Sequence, residues 1–262
     1  VINSQFDKYM IGLMRTVGSV GFYSIGQMFA YGVFLFMTTL QNVFSPQVYQ
    51  HMFKEGEAGG RSIGVYLTPF ACISAGFGLM VVLFAEELIT LILPGSYHGS
   101  IPIAVILASY YAILFFGKQP QIIFSKQTHL IAILSAGRLA LNIALNVPFI
   151  MHWGAVGAAW ATLLTGLVSG CVSFVVSQRC YRINWEYGKI AAVYILLLFS
   201  MIGVLYMRAL EMPYVWKACF KFGALFVFVG IAVRCRVLSS ELPALLKNAI
   251  TGRRLSDASD ID

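Results

Sequence analysis

The sequence predicts an all-α protein, a polytopic bundle of about seven transmembrane helices. Of its residues, 59% are hydrophobic and 11% are charged, and the mean hydropathy is +0.79. A soluble domain usually carries about a quarter charged residues, so this chain could not cover a water-facing surface. Residues 17–40 and 63–84 also contain no Asp, Glu, Lys or Arg. Each run exceeds the roughly 20 residues that an apolar helix needs to cross a bilayer.

Five further apolar runs complete the predicted bundle, at 101–116, 130–150, 156–176, 190–207 and 215–233. The run at 101–116 is short, and its helix has room to begin earlier, near Pro94. The last run holds Lys217 and Lys221, which we expect to snorkel toward the interface. Apolar residues fill both faces of these runs, which favours helices over barrel strands. We therefore expect an external segment at 1–16, a helical lobe at 17–236 and a cytoplasmic tail at 237–262.

The basic residues predict the orientation of the bundle. Placing the C-terminus in the cytoplasm and alternating sides puts 12 of the 18 Lys and Arg residues on the cytoplasmic side and five outside, with Arg138 inside a span. The positive-inside rule favours this arrangement. Loop cations that follow topology in this way need no nucleic-acid partner, and we expect none.

The sequence shows no constellation for catalysis or for metal binding. The four histidines are far apart, and no pair has the i, i+4 spacing of a helical metal site. The chain has no phosphate-binding P-loop. We therefore expect no enzyme activity, no metal and no cofactor.

Arg138 is the exceptional residue, because it lies about eight residues into the span that begins near Leu130. A charge at that depth is costly unless it faces a partner or a watery cavity, so it is a functional candidate, although a structural pair with a neighbouring helix also fits. Asn142 and Asn146 follow at helical spacing and form a polar stripe, which fits either a hydrogen-bonded seam or a substrate path. Gln27 is a polar residue within the first span. Its side chain either joins two helices by a hydrogen bond or binds the substrate.

Three stretches resemble a known family. The first is DKYMIG at 7–12, followed by VG at 17–18 and GFYSIGQ at 21–27; the second is SPQVY at 45–49. The third is LNIALNVP at 141–148 followed by GAVGAAWATL at 154–163. Together they resemble the C-terminal half of bacterial polysaccharide (O-antigen type) flippases of the multidrug/oligosaccharidyl-lipid/polysaccharide exporter superfamily. The resemblance covers about residues 7–189.

The resemblance implies one lobe of a transporter of 12–14 helices. Such a transporter flips undecaprenyl-pyrophosphate-linked oligosaccharides across the bacterial cytoplasmic (inner) membrane by alternating access around a central cavity. The odd number of spans and the external start also lead us to expect a preceding N-terminal lobe. Membrane lipids and polysaccharide assembly proteins are the other partners that it implies.

The resemblance to these flippases implies a role for each of several charged residues. Arg138 would hold the diphosphate head group through paired charge-assisted hydrogen bonds. Lys118 and Lys126 would collect it at the cytoplasmic side, while Asp7 and Lys8 would stand at the opposite mouth.

Two alternatives stay open. A drug/cation antiporter or a peptidoglycan-precursor flippase of the same superfamily is the first, and an antiporter should show buried carboxylates, which the sequence does not place firmly inside a span. A membrane-embedded polysaccharide polymerase or ligase is the second. It usually needs a large external loop, whereas the longest external stretch here, about 86–100, is short.

Overall fold

A computed structural model describes residues 2–117 and 120–234, and this part of the chain is almost entirely helical. The predicted cytoplasmic tail at 237–262 lies outside the described residues. The α-helices are α1 (Ile2–Met14), α2 (Val17–Glu55), α3 (Gly60–Ile92), α4 (Ile101–Ile113), α5 (Pro120–Phe124), α6 (Thr128–Cys180), α7 (Tyr187–Ala209) and α8 (Tyr214–Arg234). Short 3-10 helices at Gly56–Gly59, Gly95–Ser100 and Leu114–Gly117 join some of them.

Six of the seven predicted spans fall within α-helices, the seventh, 101–116, begins in α4 and ends in the 3-10 helix that follows it, and the all-α polytopic bundle is confirmed. In the described part of the chain, five helices are long and apolar enough to cross a membrane, namely α2, α3, α6, α7 and α8. Predicted helix starts at Val17 and Ile101 match those of α2 and α4. The ends match less well, since α2 continues 15 residues beyond the predicted end, through Pro46.

Helix α6 contains two of the predicted spans because it folds back on itself. Gly154 interrupts the helix with φ +59° and ψ −136°, a conformation that glycine adopts readily. A Cβ added to Gly157 would lie 2.0 Å from the carbonyl oxygen of Phe149. At the other end, Cys180 Sγ lies 3.5 Å from Gln127 Oε1, so the two ends of the hairpin meet. Segments 128–153 and 155–180 are therefore antiparallel neighbours.

Arg15 caps the first segment of this hairpin. Its Nε donates to the carbonyl oxygen of Ile150 at 3.1 Å, and its Nη2 donates to that of Met151. Carbonyls at the end of a helical segment lack partners within the helix, and a cation there also complements the helix dipole. Arg15 thus joins the connection between α1 and α2 to the turn of α6.

Helix α4 forms the centre of the bundle and packs against α2, α3, α6 and α7. Its sequence is apolar on all sides, which is typical of a helix that is buried on all sides. Glycines on α2, α3 and α6 allow these helices to approach α4 closely. A Cβ added at Gly26 would lie 2.8 Å from the side chain of Ile103, and one added at Gly78 or Gly166 would lie 2.4 Å from the side chain of Ala112 or Tyr110, respectively. Small residues allow this close approach where apolar burial alone does not drive association.

An ion cluster joins the end of α3 to α7 and α8. Arg208 Nη1 lies 3.1 Å and Lys217 Nζ 2.9 Å from Glu86 Oε1. Lys221 Nζ pairs with Glu87 and lies 3.8 Å from Glu86 Oε2. The side chain of Lys221 is only 2% exposed, because it packs against these carboxylates of α3. Carboxylates within reach supply the partner that snorkelling would otherwise seek in the headgroup region.

We predict that Gly78→Ala destabilises the bundle by about 1–3 kcal/mol, because its Cβ would collide with Ala112 at the α3–α4 contact. Gly32→Ala is the matched control: Gly32 lies within α2, and an added Cβ would meet nothing within 4 Å. Thermal unfolding in detergent measures both variants. Equal unfolding temperatures for the two would contradict the proposed packing of α4.

Candidate functional site

Asp7 in α1 is the most highly connected polar residue of the candidate site. It has no exposed surface. Its Oδ2 accepts hydrogen bonds from the Tyr23 hydroxyl at 2.8 Å and from the Thr162 hydroxyl at 2.9 Å. Its Oδ1 accepts one from Asn146 Nδ2 at 2.7 Å. A buried carboxylate is tolerated when several donors satisfy its oxygens, and these donors come from α2 and from both segments of α6.

The polar stripe predicted on α6 is only partly continuous. Asn146 Nδ2 also lies 3.0 Å from Asn142 Oδ1, and the two side chains are 0% and 1% exposed. These two asparagines thus form a buried seam that ends on Asp7. Arg138 is only half-buried and contacts a different set of residues. The seam interpretation therefore accounts for the asparagines, and Arg138 faces open space.

That space is a cavity of about 870 Å³ between α1, α2, α4 and α6. Its lining includes four of the sequence-predicted site residues: Asp7, Lys8, Gln27 and Arg138. The volume lies within the range of about 300–1,000 Å³ that is typical of small-molecule sites. Lys8 is half-buried at its edge, and Gln27 Nε2 lies 3.4 Å from the hydroxyl of Tyr111. Gln27 therefore lines the cavity and also bridges α2 to α4.

Arg138 lies where this cavity meets a second one. The second cavity, of about 300 Å³, lies between α2, α5 and α6, and shares Leu114, Ser135 and Arg138 with the first. One guanidinium nitrogen of Arg138 donates to the Tyr110 hydroxyl, and the guanidinium carbon lies 5.8 Å from the centre of that ring. Among the described residues, its buried Nε has no hydrogen-bond partner. A guanidinium has five donor hydrogens in a planar fork, so Arg138 keeps capacity for an oxyanion.

The structure describes one of the two predicted collecting lysines. Lys118 lies outside the described residues. Lys126 is exposed in the turn between α5 and α6, where it adopts a φ of +57°, and it lines neither cavity. Asp7 was expected at an open mouth, whereas its carboxylate is fully buried at the cavity wall.

Sequence reasoning missed the residues that hold this site together. Tyr23 and Thr162 bind Asp7, and Tyr110 and Tyr111 position Arg138 and Gln27. Tyrosines and threonines in apolar runs carry no signal of their own at the level of sequence. Tyr23 could have been found, because it lies within the quoted stretch GFYSIGQ beside Gln27.

The fold and the site define a multi-pass α-helical membrane protein with a partly open cavity that one arginine lines. The chain is 28% identical over 196 residues to a Haloferax volcanii protein named probable low-salt glycan biosynthesis flippase Agl15, an archaeal relative. The match covers 71% of this chain but only 40% of the relative. No protein-family profile matches the chain, and no solved structure matches it significantly.

We predict that Tyr23→Phe lowers the free energy of unfolding by about 1–3 kcal/mol, because it removes a buried donor to a carboxylate. In a double-mutant cycle with Asp7→Asn, the two changes should be non-additive by at least about 0.5 kcal/mol. Unfolding in detergent measures the cycle. Tyr9→Phe is the control, since Tyr9 is 64% exposed on the same α1 helix as Asp7. Strict additivity of Tyr23→Phe and Asp7→Asn would rule out the direct bond.

Proposed function

We propose that this chain is the C-terminal lobe of a flippase that moves polyprenyl-pyrophosphate-linked oligosaccharides across the cytoplasmic membrane by alternating access. The observation that carries the proposal is the half-buried Arg138, which faces a cavity of about 870 Å³ with unused donor capacity. The similarity to an archaeal protein named as a glycan biosynthesis flippase supports the same substrate class. Undecaprenyl as the carrier, O-antigen as the glycan and a bacterial inner membrane are the finer parts of this proposal.

The mechanism follows from the electrostatics of the cavity. A diphosphate cannot cross an apolar core without partners, because desolvating its charges costs many kcal/mol. Arg138 offers a planar pair of donors to the phosphate oxygens at the junction of the two cavities. Lys8 adds a second positive charge at the cavity edge. A preceding lobe, which we propose as the other wall of the pathway, would close the cavity and let it open alternately to each side.

We predict that Arg138→Ala, made in the native gene product that contains these residues, lowers surface glycan at least tenfold in a flippase-deletion host. Arg138→Lys should restore only part of the transport, because an ammonium keeps the charge but loses the paired geometry. Arg61→Ala is the control, since Arg61 is exposed in the first turn of α3 and lines neither cavity. Surface glycan and the amount of protein in the membrane are measured for each strain. Normal surface glycan in Arg138→Ala at normal expression would refute the head-group role.

The burial of Asp7 favours a second candidate, cation-coupled export by another branch of the same superfamily. The antiporter alternative required a buried carboxylate, and Asp7 is one at the wall of the cavity. The two functions are compatible if a proton or a metal cation at Asp7 drives the transport of the glycan. Asp7→Asn separates them: efflux of cationic drugs that is lost in this variant, with surface glycan unchanged, would favour the drug antiporter.

A further inference from the structure

Four aromatic side chains form one continuous face of the larger cavity. We call Tyr31 and Phe34 of α2 together with Tyr110 and Tyr111 of α4 the aromatic wall. All four line the cavity. Ring centres lie 5.1 Å apart for Tyr31 and Phe34, 5.5 Å for Phe34 and Tyr111, and 5.1 Å for Tyr110 and Tyr111.

The aromatic wall runs away from Arg138. The Tyr110 hydroxyl accepts a hydrogen bond from Arg138, and the guanidinium of Arg138 lies over the Tyr110 ring. Arg138 therefore lies at one end of the aromatic wall. Tyr31 marks the other end, where 42% of its surface is exposed. A group linked directly to an anion held at Arg138 would therefore contact the aromatic rings next.

The polar groups beside the rings identify the chemistry of that group. The polar side chains of Gln5, Lys8 and Ser24 line the same cavity, and none of the three is buried. An aliphatic lipid tail laid against them would bury polar groups without hydrogen bonds, which is costly. A sugar has polar hydroxyls at its edges and C–H groups on its ring faces. Its C–H groups carry partial positive charge and meet the negative face of an aromatic ring, while its hydroxyls reach the polar groups.

We propose that the aromatic wall binds the glycan of the lipid-linked substrate by stacking sugar rings on Tyr31 and Phe34, while Arg138 binds the diphosphate. This inference rests on the proposed function and assigns a second part of the same cavity. It makes Tyr31 a specificity-determining residue, because Tyr31 is the exposed end of the wall. The aromatic wall discriminates glycosylated from bare lipid carriers.

The test compares two probes on the native gene product that contains these residues, held in lipid nanodiscs. One probe is undecaprenyl diphosphate, and the other is the same lipid carrying one N-acetylglucosamine. Tyr31→Ala should weaken binding of the sugar-bearing probe about fivefold, the expected effect of losing one aromatic contact, and leave the bare lipid diphosphate within about twofold. Tyr31→Phe, which keeps the ring, should bind both probes normally. Tyr9→Ala controls for loss of an exposed tyrosine away from the cavity.

Arg138→Ala separates failure of this inference from failure of the proposed function. It should weaken binding of both probes, about tenfold or more, because both carry the diphosphate. Suppose that Arg138→Ala weakens binding of both probes, but Tyr31→Ala weakens binding of both equally or of neither. The aromatic wall then does not bind the glycan, and the proposed function stands. If neither probe binds the unmodified protein, or Arg138→Ala changes neither affinity, both the proposed function and this inference are overturned.

Discussion

The structure depends on satisfying a carboxylate that has no exposed surface. Asp7 lies in the first helix, and its three donors lie 16, 139 and 155 residues further along the chain. Each donor is on a different helical segment, so the carboxylate fixes α1 against α2 and against both segments of the α6 hairpin. An unsatisfied buried charge costs more than most single contacts contribute, which makes this arrangement hard to disturb. The segments that it fixes are also those that line the larger cavity with Arg138.

Much of the bundle could be predicted because apolar runs of spanning length have few other solutions. The start of α2 at Val17 follows from its charge-free run, and that of α4 at Ile101 follows from the apolar run that begins after the polar stretch at 95–100. The end of α2 was missed, since the helix continues past the predicted end at Leu40 and accommodates Pro46. The α6 hairpin was predicted as two spans, and the positive φ of Gly154 explains how a single stretch supplies both.

The candidate site was predictable in part for a similar reason. An arginine deep in an apolar run stands out, and Arg138 does line the cavity. Asp7 was predicted at a mouth of the pathway, but its burial was not predicted, because its donors are distant in sequence. Tyr110 and Tyr111 were missed altogether, since aromatic residues in an apolar helix look like packing until the helices are placed together. Lys126 lines neither cavity, and a loop cation satisfies the positive-inside rule whatever its side chain contacts.

The ion cluster at the end of α3 and Arg138 differ in how much of their charge is already paired within the protein. Glu86 and Glu87 are paired with Arg208, Lys217 and Lys221, so most of the charge in that cluster is neutralised within the bundle. Arg138 instead has a tyrosine hydroxyl as its hydrogen-bond partner and faces two cavities. A cation held in this way favours an external anion, whereas the cluster favours rigid packing of α3 with α7 and α8.

The most direct measurement is translocation itself. The native gene product that contains these residues would be reconstituted into liposomes with a fluorescent polyprenyl-diphosphate-linked sugar in both leaflets. A membrane-impermeant quencher then reports how fast the inner-leaflet lipid reaches the outside. The account predicts movement well above that in protein-free liposomes. A correctly folded protein that leaves the rate at the protein-free level would contradict it.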